Sequence, residues 1–107
     1  MSLFAVHREA GSAWTQGKGA FDQPDVTDHA AFMNGLAEDG LILAAGPLAG
    51  TEGGRIRVLV IADADQEADI VQRLAADPWE LAGRITTTSI EPWTLLVGAL
   101  SPPALEH

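Results

Sequence analysis

Two hydrophobic periods alternate along the chain, and the clearest long one runs from Asp25 to Gly40. At about 100° per residue, Phe32, Met33 and Leu36 share one side of a predicted helix, and His29 falls among them. Asn34 and Glu38 take the opposite side. Asp25 is placed to cap this helix, with Asp28 three residues on in a capping-box-like spacing. Both carboxylates suit the positive end of the helix dipole. Gly40 supplies the left-handed stop. Leu41 to Ala45 is then a continuous apolar run of the kind an interior strand carries, ended by Gly46-Pro47.

Elsewhere the short period dominates. Leu3 to Arg8 alternates, sending Phe4, Val6 and Arg8 one way and Leu3, Ala5 and His7 the other. Arg55 to Ala62 is the clearest strand, rich in β-branched residues. A second helix is expected over Asp63 to Ala76, capped by Asp63 or Asp65, with Ile70, Val71 and Leu74 inward. It stops at Asp77-Pro78-Trp79, because the residue before proline is pushed out of the helical region. Arg84 to Ile90 is strand-like, Glu91-Pro92 interrupts it, and Trp93 to Val97 is expected as a last strand.

The order is thus β-α-β-β-α-β plus an extra C-terminal strand. Two helices on one face of an antiparallel sheet predict an α+β, ferredoxin-like sandwich over residues 1–100. Residues 101–107 read as a tail, disordered at Ser-Pro-Pro and ending in Leu105-Glu106-His107 like a tag remnant. The second sheet face has no helix to cover it, although Arg55–Ala62 is apolar on both sides. A homodimer is therefore expected.

The loop from Glu9 to Pro24 holds Trp14 and Phe21 as its large apolar groups. Trp14 either anchors the loop to the body or closes it over a ligand.

Composition narrows the function classes. A net charge of −9, with six scattered basic residues, offers no positive surface for nucleic acid. No apolar run reaches about 18 residues, and no basic-then-apolar leader opens the chain, so a cytoplasmic, membrane-free protein is expected. There is no cysteine, hence no disulfide and no thiolate nucleophile or ligand.

Two residues stand out chemically. His29 sits on the stripe that should face the core, either tucked away or poised over a pocket. The helix N-terminus disfavours imidazolium, and a neutral ring suits a general base. Asp77 ends a helix, where a carboxylate opposes the dipole. It is either a turn former or the partner that orients His29. Ser12, Ser89 and Ser101 make no convincing nucleophile, and no Gly-x-Ser-x-Gly elbow occurs. His7 and His29 lack a metal-ligand spacing, so neither metal nor cofactor is expected.

His29 on the first helix, Gly40, Ala45-Gly46-Pro47, Asp77-Pro78-Trp79 with Ala82-Gly83, and Ile90-Glu91-Pro92-Trp93 resemble the YciI-like (YCII-related) family in order and spacing, over about residues 3–97. The resemblance implies a ferredoxin-like fold paired into a dimeric α+β barrel. It also implies a His–Asp active site in each subunit, here on His29 and Asp77. One activity described in the family is dehydrochlorination of a chlorinated hydroxyquinol. Many members carry an arginine shortly before the helix histidine, whereas Gln23 to Asp28 holds none.

The expectation is a small enzyme, lyase- or isomerase-like, doing general acid–base chemistry on a small cyclic or aromatic substrate. His29 would move the proton and Asp77 orient it. Gly46, Pro47 and Trp79 would line the pocket, with Trp14 near its mouth. The alternatives are a non-catalytic dimeric small-molecule-binding module, or a structural dimer with His29 as a satisfied core residue.

Overall fold

The computed structural model describes residues 2–100. The expected tail features at Ser101-Pro102-Pro103 and Leu105-Glu106-His107 lie outside the described residues. Four strands, β1 (Leu3–Ala10), β2 (Ile42–Pro47), β3 (Arg57–Asp63) and β4 (Ile85–Trp93), form one sheet. Three helices, α1 (Val26–Glu38), α2 (Glu67–Leu74) and α3 (Pro78–Leu81), and a 3₁₀ turn at Ala20–Asp22 complete the described fold. The strand order is β2-β3-β1-β4, with every neighbouring pair antiparallel. This is a small α+β fold of the ferredoxin-like kind.

The period-2 pattern of β1 decides which side is packed. Phe4, Val6, Arg8 and Ala10 are buried, whereas Leu3, Ala5 and His7 keep partial exposure. Phe4 and Val6 join Val60 and Ala62 against Leu36 of α1, Leu41 behind it, and Ile70 and Leu74 of α2. Each such aliphatic side chain contributes roughly 1.5–3 kcal/mol by leaving water. A second cluster, Ala10, Trp14, Ala20, Ile56, Trp79 and Ile85, packs at the other end of the sheet.

Gly40 ends α1 as expected, at φ +86°. Leu41 donates to the Leu36 carbonyl at 3.0 Å and Gly40 to Ala37 at 3.1 Å. Those two bonds make a Schellman stop, sealed by burial of both leucines. The N-terminal expectation is corrected. Asp25 is left-handed, at φ 61°, and its side chain makes no capping bond.

Further expectations change. The helix expected from Asp63 starts at Glu67, because Asp63 still belongs to β3 and pairs with Leu3. Asp69 instead reaches back to the Gln66 amide at 3.3 Å to begin α2. Leu41–Ala45 is not an interior strand: β2 is an edge of the sheet, runs on through Gly46 and Pro47, and exposes Ala44 and Ala45. The separate C-terminal strand is absent among the described residues, since Glu91 and Pro92 lie inside β4. Both prolines sit on edge strands, where a missing amide donor need not break a ladder. Beyond β4, Leu96 and Val97 are exposed. Among the described residues no helix is long and apolar enough to cross a membrane.

Where β1 gives way to the loop, the backbone of Gly11 is pressed against that of Gly83. Gly11 donates to the Arg84 carbonyl at 2.7 Å and Ala13 to that of Gly83 at 2.9 Å. A Cβ on Gly11 would meet the Gly83 carbonyl oxygen, a backbone atom that cannot swing aside. Gly11→Ala should therefore destabilise the fold by about 1–3 kcal/mol, the usual range for overpacking. Urea unfolding would measure this, and an unchanged midpoint would refute the close approach.

Candidate functional site

The centre of the site is a charged group with no exposure of its own. Asp77 leaves α2 and begins α3, and its side chain is fully buried. Its Oδ1 accepts from the Trp79 amide at 2.9 Å, which makes Asp77 the cap of α3. The expected conflict with a helix C-terminus is thus offset by a favourable place at the next helix's start. Pro78 follows at the first helical position, where its missing amide costs nothing.

His29 reaches the same carboxylate from α1. Its Nδ1 lies 2.9 Å from both Oδ1 and Oδ2 of Asp77. An ionised carboxylate only accepts, so Nδ1 carries the hydrogen, and in the neutral ring Nε2 presents the lone pair. Among the described residues Nε2 has no protein hydrogen-bond partner. The ring lies flat on Trp79, with centroids 3.9 Å apart and planes 7° from parallel. Trp79 is held in turn by its Nε1, which donates to the Pro24 carbonyl at 2.8 Å.

A third charge was not singled out as a site residue from the sequence. Arg8 projects from β1 into the packed side and is 1% exposed. Its Nη1 donates to Asp77 Oδ2 at 2.9 Å, and its Nη2 to Glu80 Oε2 at 2.8 Å. The signal was its parity with Phe4 and Val6, since a charge on the buried face of a strand demands a counter-charge. Burial pushes the Asp77 carboxyl up, but the His29 hydrogen bond and charge, the Trp79 amide and the Arg8 guanidinium together hold it below its ordinary 3.8.

Of this cluster, His29 and Trp79 border a cavity of about 260 Å³ between α1, β2, β3 and the 3₁₀ turn. Gly46, Pro47 and Trp79 lie on its lining, beside His29 and Met33. Its polar side chains besides His29 are Asn34 and Glu52. Trp14 is a correction. It is 3% exposed and meets Trp79 edge-on, with centroids 5.5 Å apart and planes at 83°, behind the cavity wall and not at the mouth. The anchor alternative describes its place. Phe21, 83% exposed, is the aromatic group from that loop that borders the cavity. Gln23, also missed, is buried and ties the loop together, accepting from the Thr15 amide and donating to the Thr15 and Lys18 carbonyls.

His7 lies on the open sheet face, with Nδ1 3.1 Å from Ser89 Oγ, and takes no part in this cluster. Among the described residues no group of three His, Cys, Asp or Glu side chains converges as a metal site.

The sequence model of the YCII-related domain matches residues 7–94. No curated protein matches the chain. Among solved structures, the fold is similar to 5-chloro-2-hydroxyhydroquinone dehydrochlorinase (TftG) from Burkholderia phenoliruptrix AC1100, in complex with 2,5-dihydroxybenzoquinone. The TM-score is 0.60 at 21% identity, covering 86% of this chain and 93% of that one. At that identity the likeness speaks for the fold.

The depressed Asp77 carboxyl fixes a pH dependence. Its stabilising effect is complete above the unfolded value near 3.8 and is lost as pH falls through the lower folded value. Asp77→Asn should remove that part of the acid sensitivity. It should also cost about 3 kcal/mol near neutrality, the low end for a broken buried pair, because Glu80 still faces Arg8. Unfolding titrations of both proteins from pH 7 to 2 measure this, and parallel curves would refute it.

Proposed function

The chain belongs to the YCII-related family, and from that premise we propose that it is a small-molecule enzyme working by general acid–base chemistry. The observation that carries this is the His29 ring on the wall of an apolar cavity, its Nδ1 held by a buried carboxylate. Nε2 is then the base. It takes a proton from a hydroxyl or an acidified carbon of a bound ring. Asp77 supports the imidazolium that results, and the proton passes on to product or solvent. In a dehydrochlorination, the electron pair freed by that proton expels chloride, so hydrogen and chlorine leave together as HCl.

The equipment suits a lyase- or isomerase-like reaction on a small cyclic or aromatic substrate. The apolar wall, with Trp79, Met33, Val58 and Phe21, fits a flat ring. Arg8 is already engaged by Asp77 and Glu80, so it does not serve as a free cation for a carboxylate or phosphate.

We propose further that the protein works as a homodimer in an α+β barrel arrangement. The sheet face away from the helices carries Leu3, Ala5, Leu59 and Trp93, none of them covered by a helix. A second copy of that face would bury them.

Purified protein should be screened against chlorinated and hydroxylated aromatics, with chloride release and absorbance as readouts. On any compound turned over, His29→Ala should lower kcat about 10²–10⁴-fold while folding is retained. Equal turnover by parent and variant would end the proton-transfer proposal. Tight binding without turnover would make the domain a binding module. Sedimentation should give a dimer at micromolar concentration, and a stable monomer would remove that part.

A further inference from the structure

We propose that Glu80 and Arg8 are positioning residues that set the proton affinity of His29 through Asp77. This inference rests on the reading of His29 as the proton-transferring group. It adds a device that tunes it.

The geometry is a chain of alternating charge. Glu80 Oε2 meets Arg8 Nη2 at 2.8 Å, Arg8 Nη1 meets Asp77 Oδ2 at 2.9 Å, and Asp77 meets His29 Nδ1 at 2.9 Å. The two middle members are sealed, at 1% and 0% side-chain exposure. The ends are less so, at 27% for Glu80 and 16% for His29. Little water separates the inner charges, so each acts strongly on the next. Asp77 favours imidazolium, Arg8 opposes it, and Glu80 offsets Arg8.

Stability alone does not explain this arrangement. A buried ion pair is a weak stabiliser, and apolar groups of similar volume often serve a fold as well or better. Arg8 also keeps its Nε buried without a hydrogen-bond partner, a cost an aliphatic side chain would avoid. Glu80 is fixed further by the Thr87 hydroxyl, which donates to the same Oε2 at 3.3 Å. The outer carboxylate is thus held in place on both sides.

Other charged groups on the elements next to the ring stay constant in the comparison below. Glu52 shares the cavity wall, Asp22 lies in the 3₁₀ turn, and Asp25 and Asp28 flank the start of α1. From β2 no titratable side chain faces it, since Ile42–Pro47 has none.

The sign of each substitution follows. Glu80→Gln removes a negative charge and leaves Arg8 less offset, so the midpoint of the His29 ring titration should fall, on the order of half a pH unit. Arg8→Gln removes the opposing cation, so the midpoint should rise. Arg8→Lys keeps the charge and should stay near the parent. NMR titration of the His29 ring in the full-length labelled chain reads all three without a substrate. Glu80 is partly exposed, so its neutral isostere keeps the test open if Arg8→Gln fails to fold. A His29 midpoint that is unmoved or raised in Glu80→Gln overturns the proposal, because a purely structural role predicts no such signed shift. Failure of the substrate screen would overturn the enzymatic reading and leave this titration result standing, so the two fail separately.

Discussion

The Asp77 carboxylate is the constraint on which the rest of the structure depends. It is wholly buried, and it ties together three elements: β1 through Arg8, α1 through His29, and α3 through the Trp79 amide. A charge taken from water is tolerable only when its oxygens are fully engaged. Here both oxygens are, and the geometry required to engage them is also the geometry that holds the imidazole. Fold and candidate site therefore share one set of bonds.

Trp79 carries that constraint outward. Its amide caps through Asp77, its ring stacks on His29, its edge meets Trp14, and its Nε1 bonds the Pro24 carbonyl. The long loop after β1 is consequently pinned at two points, by Trp14 at its start and Pro24 at its end. Gln23 closes the span between them with bonds to backbone groups of Thr15, Lys18 and Gly19. A loop so held serves as the back of the wall. Only Ala20 and Phe21 from it reach the cavity lining.

Much of this was legible because it is local. The period-3.6 stripe located α1 and put His29 on it, Gly40 marked its end, and alternation sorted the two faces of β1. What misled were prolines read without knowledge of strand position. Pro47 and Pro92 looked like terminators, yet both lie on edges, where a strand tolerates them. Trp14 was ambiguous because its burial depends on Trp79, 65 residues away in sequence. The Arg8–Asp77–Glu80 cluster is non-local in the same way. Alternation gave the direction of Arg8, but only the packing of α3 on the sheet supplies its partners.

The same non-locality bears on how Asp77 should be regarded. As a turn former alone, it would need only the Trp79 amide, and an exposed carboxylate or an asparagine would serve. Instead it is buried beside a guanidinium and an imidazole at the wall of a cavity. Its bonds hold it where it fixes the His29 ring through Nδ1, and among the described residues Nε2 is the ring nitrogen without a protein partner. A fold seeking stability alone has simpler solutions in apolar side chains. The proposed acid–base role, in which the ring gains and releases a proton in one fixed orientation, would account for the polar cluster.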